Sequence, residues 1–335
     1  PTRRSSDLYQ GKRRTDMKKV WRTGMIEIKN VTKIYDGIRA VNQLNLTVCD
    51  GEIFVLLGSS GCGKSTTLNM INRLIEPTEG NIYIDGKDIK DFKPEILRRS
   101  IGYVVQGTGL FPNMTVGQNI GIVPKMLKWN SQEIKRRVKE LLEMIGLDPD
   151  KYVKKYPHQL SGGEAQRIGV ARALAANPGI LLMDEPFGAV DPINRANLQN
   201  EFMKLQKKLH TTVVLVTHDI GEAMKMGDRI ALMDQGKLQG VGTPRELLCN
   251  KDNQFICEFM GNDSFINILN CYTVKEYVQP VNVQAGISIH ETCNLKEAIA
   301  KMIENAVNVL DVTNDQGIVC GQIEINRLVH VLKEM

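Results

Sequence analysis

Nine consecutive residues, Gly58-Ser59-Ser60-Gly61-Cys62-Gly63-Lys64-Ser65-Thr66, have the types and spacing of a loop that cradles phosphate. Glycine at three of these positions lets the backbone curl so that successive N–H groups converge on anionic oxygens. Lys64 can reach the terminal phosphates of a nucleotide, and Ser65 can offer its hydroxyl to Mg²⁺. A second chemical feature is Asp184-Glu185, two carboxylates at the end of the apolar run Ile180-Leu181-Leu182-Met183. Ligands of open α/β sheets bind at the carboxyl ends of the strands. Asp184 suits a contact to Mg²⁺, direct or through water, and Glu185 is placed to polarise an attacking water. The third feature is Leu160-Ser161-Gly162-Gly163-Glu164, a serine cap and two small residues opening a helix, which makes a further anion site. Each string alone has a plainer reading, as a glycine turn, a solvated strand end or an ordinary helix cap.

The elements around them favour the chemical reading. The apolar run Ile53 to Leu57 predicts a buried strand entering the phosphate loop, and Thr67 to Ile71 predicts a helix leaving it, the context such a loop requires. Residues 25–31 and 44–48 alternate as antiparallel strands do, with a turn over 33–37 that carries Tyr35. A short strand over 81–85 follows, and a strand over 101–105 leads to Gln106. Residues 113–157 read as helical, with Ile134, Val138, Leu141, Leu142 and Ile145 on one face. From 162 onward the pattern alternates: helix 162–176, strand 180–183, helix 194–208, strand 212–216, a helix from Asp219, and strands 229–233 and 237–241. That alternation predicts a parallel sheet with crossover helices.

Charge and cysteine narrow the class. The net charge of +5 is concentrated in residues 1–24, which hold eight Lys/Arg against Asp7 and Asp16; the remainder carries 35 basic and 36 acidic residues. Net charge therefore gives no support to nucleic-acid binding. Residues 1–24 lack the apolar stretch of a secretory signal and are expected to be a disordered or non-native leader, with Met25 as the start. The seven cysteines form no C-x-x-C pair and read as reduced thiols. No apolar run approaches the roughly 20 residues that span a bilayer, so work at a membrane would go through a partner.

Taken together, residues 26 to about 245 resemble the ATP-binding cassette (ABC) ATPases. The resemblance rests on the phosphate loop, the LSGG signature at 160–163, the Walker B pair Asp184 and Glu185, and Gly188-Ala189-Val190-Asp191 as the D-loop. It extends to Thr217-His218-Asp219 as the switch, Gln106 as the Q-loop and Tyr35 as the aromatic that stacks on adenine. Val190 stands where family D-loops commonly have Leu. The resemblance implies an α/β P-loop NTPase cassette with a parallel core sheet, an antiparallel β subdomain and a helical subdomain at about 107–160. It also implies ATP and Mg²⁺ as ligands, with Ser65, Gln106 and Asp184 at the metal. Glu185 would act as general base and His218 would hold the γ-phosphate and water. Two chains would face head to tail, each ATP lying between one chain's phosphate loop and the other's Ser161, Gly162 and Gly163, with Asp191 nearby.

Within that family, Gly109-Leu110-Phe111-Pro112-Asn113-Met114-Thr115-Val116 is similar to bacterial importer ATPases. Asn119 to Trp129, Asp191-Pro192-Ile193-Asn194-Arg195 and His218 to Ala223 are similar to the uptake ATPases for glycine betaine, proline, carnitine and choline. That subfamily implies an ATPase at the cytoplasmic face of the membrane, docked on integral permease subunits and served indirectly by an extracytoplasmic substrate-binding protein. The rivals are importers of amino acids or ergothioneine-like solutes, and a soluble ABC ATPase. A boundary is expected at Gly261-Asn262-Asp263, giving a cassette over 25–262. Residues 263–335 resemble a single cystathionine-β-synthase (CBS) repeat, a small α+β domain that implies sensing of adenosyl ligands such as cyclic di-AMP, or of ionic strength, with a purely structural dimerisation tail as the rival. Glu324 and Arg327 stand where the family often has ribose-contacting Thr and Asp, and no second repeat is present to pair with it.

Overall fold

The structure is a computed structural model and describes residues 24–250, 253–260, 269, 272–280 and 286–328. The chain divides into two compact units, residues 1–218 with 228–238, and residues 219–227 with 239–335. Gly261-Asn262-Asp263 lies outside the described residues.

In the first unit the chain forms β1 (Ile26–Tyr35), β2 (Ile38–Val48), β3 (Ile53–Gly58), β4 (Glu79–Ile84) and β5 (Lys87–Asp88), then β6 (Ile101–Val104), β7 (Ile180–Asp184), β8 (Thr212–Thr217) and β9 (Arg229–Asp234). β10 (Lys237–Gly242) closes a six-stranded sheet of order β10-β9-β3-β8-β7-β6. The pairs β3/β8, β3/β9, β7/β8 and β6/β7 are parallel. Every residue of β3, β7 and β8 is buried, which is why their sequences run apolar without alternation. A second sheet, β2-β1-β4-β5, is antiparallel. Phe54, Leu56, Leu182 and Val214 from the first sheet share a core with Ile26, Val31, Leu44 and Ile82 from the second. Full burial of such side chains stabilises the fold by about 1.5–3 kcal/mol each.

The first hairpin is longer than its alternation predicts. β1 and β2 stay paired up to Tyr35 and Ile38, across a two-residue turn in which Asp36 and Gly37 both have positive φ. Tyr35 therefore ends a strand and does not sit within a turn. Bulges after Ile28, Val31 and Lys33 shift the register, so the period of two is lost while the hydrogen-bonded ladder continues.

Between Gln106 and Ser161 the helices Val116–Met126 and Ser131–Met144 form the helical insert, with a short helix Pro149–Tyr152. Asn130 caps the second, its side chain accepting from the Glu133 N–H, and Val138, Leu141 and Leu142 are its buried face. Asn119 is fully buried in the first and holds the preceding turn, donating to the carbonyls of Phe111, Met114 and Thr115 and accepting from the Phe111 N–H.

The second unit contains β11 (Ser288–His290), β12 (Val309–Thr313) and β13 (Val319–Glu324), paired parallel and then antiparallel. The helix Leu295–Glu304 buries Leu295, Ala298 and Met302 in a core with Leu310, Val312 and Ile323. Arg245, on the helix Pro244–Leu248, stacks its guanidinium 4.4 Å from the Tyr272 ring centre and lies 3.7 Å from Glu276. Residues 325–328 are helical.

One position tests the junction of β1 and β4. Gly80 has φ +81, and a Cβ there would stand 2.3 Å from the Asn30 carbonyl oxygen, a backbone atom. Gly80→Ala should destabilise the first unit by about 2–3 kcal/mol, seen as a lower guanidinium midpoint at unchanged slope. An unchanged midpoint would mean that β4 can move away from Asn30 at little cost.

Candidate functional site

Three parallel strands deliver the chemistry to one edge. β3 runs into the loop Gly58–Gly63, β7 ends in Asp184 and Glu185, and β8 ends one residue before His218. The loop turns into the helix Lys64–Ile71 through Gly63, whose φ of +103 is reserved for glycine and whose Cβ would meet the Ala40 carbonyl at 2.5 Å. Lys64 is buried, and its ammonium folds back to donate to the carbonyls of Gly58 at 2.8 Å and Ser59 at 2.7 Å. The Cys62 thiol lies 3.6 Å from the same nitrogen.

Ser65 reaches across to β7, its hydroxyl donating to Asp184 Oδ1 at 3.0 Å. Burial raises the Asp184 pKa, helped by the charge of Glu185 and opposed by the Ser65 hydrogen bond and Lys64. Nearby Tyr103 is pushed up to about 12 by its burial and by Asp184, so it remains a neutral donor, bonded to Asn69 Oδ1 at 2.7 Å. A hydroxyl and a carboxylate 3.0 Å apart are hard oxygen donors of the type that would hold Mg²⁺.

Glu185 is held from both sides. Gln106 Nε2 donates to its Oε2 at 3.1 Å, and His218 Nδ1 bonds its Oε1 at 2.9 Å. Facing a carboxylate, His218 Nδ1 must carry the proton, which leaves Nε2 toward other partners. The Glu185 backbone has φ +47, a left-handed conformation that costs a non-glycine residue about 1–3 kcal/mol. Its N–H donates to the Val216 carbonyl at 3.0 Å, so the strained residue is still tied to β8.

The remaining sequence-predicted residues stand apart from this cluster. Ser161 caps the helix Gly162–Leu174 in a reciprocal box: its hydroxyl accepts from the Glu164 N–H, and its own N–H donates to the Glu164 carboxylate. The Tyr152 hydroxyl holds the Glu164 pKa down, with the Ser161 N–H adding to it. A Cβ at Gly162 would meet no atom within 4 Å, so this turn offers open backbone. Asp191 caps the helix Pro192–Leu209 and is bonded to both the N–H and the side chain of Asn194. Tyr35 is 41% exposed, with the Lys33 ammonium 5.0 Å from its ring centre. Among the described residues no hydrogen bond joins Tyr35 or the Ser161–Gly163 turn to the phosphate loop. One residue without a motif assignment enters the site: Gln166 donates to the Glu185 carbonyl and accepts from Ala189 N–H. A glutamine inside a helix carries no local signal for this; only its partners in space reveal it.

The sequence profile of the ABC transporter family matches residues 41–188. The choline transport ATP-binding protein OpuBA of Bacillus subtilis is 49% identical over 302 residues, spanning 90% of this chain and 78% of that protein. The glycine betaine uptake system ATP-binding protein YehX of Escherichia coli is 43% identical over 305 residues, 91% of this chain and 99% of that protein. Among solved structures, the dimeric ATP-binding cassette MJ0796 in a post-hydrolysis state bound to ADP and Pi has a TM-score of 0.61 and 37% identity. It covers 65% of this chain and 98% of its own.

The buried Asp184 makes a stability prediction. Its pKa is raised in the folded protein, so its ionisation opposes folding: the penalty is absent below the ordinary carboxylate pKa and grows as pH rises through the folded value. Asp184→Asn keeps an acceptor for Ser65 and removes that charge. It should raise the melting midpoint at pH 7–8, by about 2–4 °C for each 1 kcal/mol relieved, and give no gain near pH 4. A lower midpoint at neutral pH would show that Lys64 already compensates the charge.

Proposed function

Because the chain belongs to the ATP-binding subunits of ABC transporters, we propose that it hydrolyses Mg-ATP at this site to energise import of a quaternary amine osmoprotectant. The observation that carries the mechanism is Glu185, fixed between Gln106 and His218 beside the Ser65–Asp184 pair. The Gly58–Thr66 loop and the helix N-terminus behind it bind the phosphates, and Lys64 exchanges its two loop carbonyls for phosphate oxygens. Ser65 and Asp184, with Gln106, would hold Mg²⁺, which would supply positive charge against the phosphates. Glu185 takes the proton of the attacking water, and His218 orients carboxylate and γ-phosphate together. Tyr35 stacks on adenine. The site is completed head to tail by a second copy, whose Ser161, Gly162 and Gly163 present open backbone to the γ-phosphate, with Asp191 at the seam.

The osmoprotectant reading rests on the relatives, whose names specify choline and glycine betaine transport. Among the described residues no helix is long and apolar enough to cross a membrane. In the proposed function the chain works from the cytoplasmic face on integral permease subunits, which a substrate-binding protein outside the membrane supplies. In this reading 25–262 is the cassette and 263–335 a CBS-like regulatory domain that reads ionic strength or cyclic di-AMP.

Glu185→Gln should lower turnover about 10²–10⁴-fold while ATP stays bound, and Lys64→Ala should weaken nucleotide binding itself. Near-normal hydrolysis in Glu185→Gln would remove the carboxylate from the water-activating role. Uptake of labelled choline, glycine betaine and carnitine by vesicles holding the chain with its permease tests the solute; transport of none of them overturns the osmoprotectant reading and leaves the ATPase reading standing. A chain ending at Gly261 should hydrolyse ATP without a response to salt or cyclic di-AMP; a retained response would place the sensor in the cassette.

A further inference from the structure

Gln166 sits five residues beyond Ser161 on the helix Gly162–Leu174 and is only 3% exposed. Both ends of its amide are used. Nε2 donates to the Glu185 carbonyl at 2.9 Å, and Oε1 accepts from the Ala189 N–H at 2.8 Å. Its two partners bracket the turn that follows β7, in which Gly188 N–H also approaches the Glu185 carbonyl at 3.4 Å. The Glu185 N–H is fixed on β8 through Val216, so the Gln166 bond to the carbonyl side is the second anchor of a residue held at φ +47.

We infer that Gln166 is a positioning residue for catalysis: it fixes the Glu185 peptide, and so the aim of its carboxylate, to the helix whose first turn is Ser161–Gly163. The inference rests on the ATPase reading above. Gln106 and His218 hold the carboxylate itself, whereas Gln166 is hydrogen-bonded to backbone groups. A peptide freed at its carbonyl can rotate about the strained residue, and a displacement of about 1 Å at a reacting group can cost on the order of 10²-fold in rate. Ground-state binding of nucleotide depends on the loop after β3, which Gln166 does not contact, so the loss belongs in kcat alone. By contrast, an amide that only filled space would be replaceable by an apolar side chain of equal size.

The full chain with two substitutions decides between them. Gln166→Leu keeps the volume and removes both bonds; kcat should fall about 10–100-fold at unchanged KM and unchanged affinity for a fluorescent ATP analogue. Gln166→Glu supplies the sharper readout. Its neutral carboxyl can donate to the Glu185 carbonyl and accept from Ala189 N–H, reproducing the pair, while its ionised form sets an oxygen without a proton against a carbonyl oxygen. Turnover of this variant should approach the wild-type value near pH 6. It should then drop through pH 9 along an alkaline limb that the wild type lacks. A Gln166→Leu chain with wild-type kcat, or one losing ATP affinity in step with kcat, would overturn the inference. If that chain does not fold, the pH profile of Gln166→Glu decides alone, and a profile parallel to wild type would overturn it. A wild-type chain that fails to hydrolyse ATP would instead sink the proposed function.

Discussion

Parallel pairing of four strands in the order β3-β8-β7-β6 is the constraint from which the site follows. Leu57 is in register with Thr217, Asp184 with Val216, and Val104 with Met183. The chain therefore leaves β3, β8, β7 and β6 along one row. The phosphate loop, His218, Asp184-Glu185 and Gln106 come together from positions up to 160 residues apart in sequence because their strands end together. A slip of one residue in any pair would turn a carboxylate to the opposite face. Complete burial of β3, β7 and β8 makes such a slip costly, since it would mispack apolar side chains on both faces of each strand.

Stability is sacrificed at that row. Asp184 is buried with its charge disfavoured, Glu185 occupies a left-handed backbone conformation, and Lys64 is buried with its ammonium turned onto two carbonyls. The first two oppose folding, and all three are held by short-range partners: the Ser65 hydroxyl, the Val216 carbonyl, the loop itself. The Lys64 bonds have a further consequence. In the proposed ATP-binding role the carbonyl oxygens 2.7–2.8 Å away stand in for phosphate oxygens, so the ammonium would change partners without a stage at which it is buried and unpaired. Strain and desolvation concentrated at one sheet edge, over a core of otherwise apolar strands, is the pattern expected where function opposes stability.

Much of this was legible in the sequence, because strong local signals and strong spatial constraints coincide. The apolar runs 53–57, 180–183 and 212–216 are strands because only a sheet covered on both faces buries them, and the polar residues ending them are then placed at one edge. Two features escaped for physical reasons. Alternation failed in the first hairpin because bulges break the period of two while hydrogen bonding continues, so Tyr35 read as a turn residue and not as the end of β1. Gln166 escaped because its role consists of two bonds to backbone atoms some twenty residues away, and backbone partners leave no mark in composition or periodicity.

The helix Gly162–Leu174 ties these parts into one mechanical unit. Its 13 residues span about 20 Å, and it is bound along its length. Ser161 and Glu164 close its first turn, and Gln166 grips the Glu185 peptide one turn later. Near its other end Arg172 donates to the Gly109 carbonyl and lies 5.8 Å from the Phe111 ring centre, while Arg137 of the helix Ser131–Met144 donates to the Leu174 carbonyl. Gly109 is three residues beyond Gln106, the donor to the Glu185 carboxylate. Glu185 is thus reached twice from this helix: at its backbone through Gln166, and at its side chain through Arg172, Gly109 and Gln106. The helix that carries Ser161–Gly163 is therefore linked to Glu185 by two bonded routes, one to its backbone and one to its side chain, and the second runs beside the exposed Phe111.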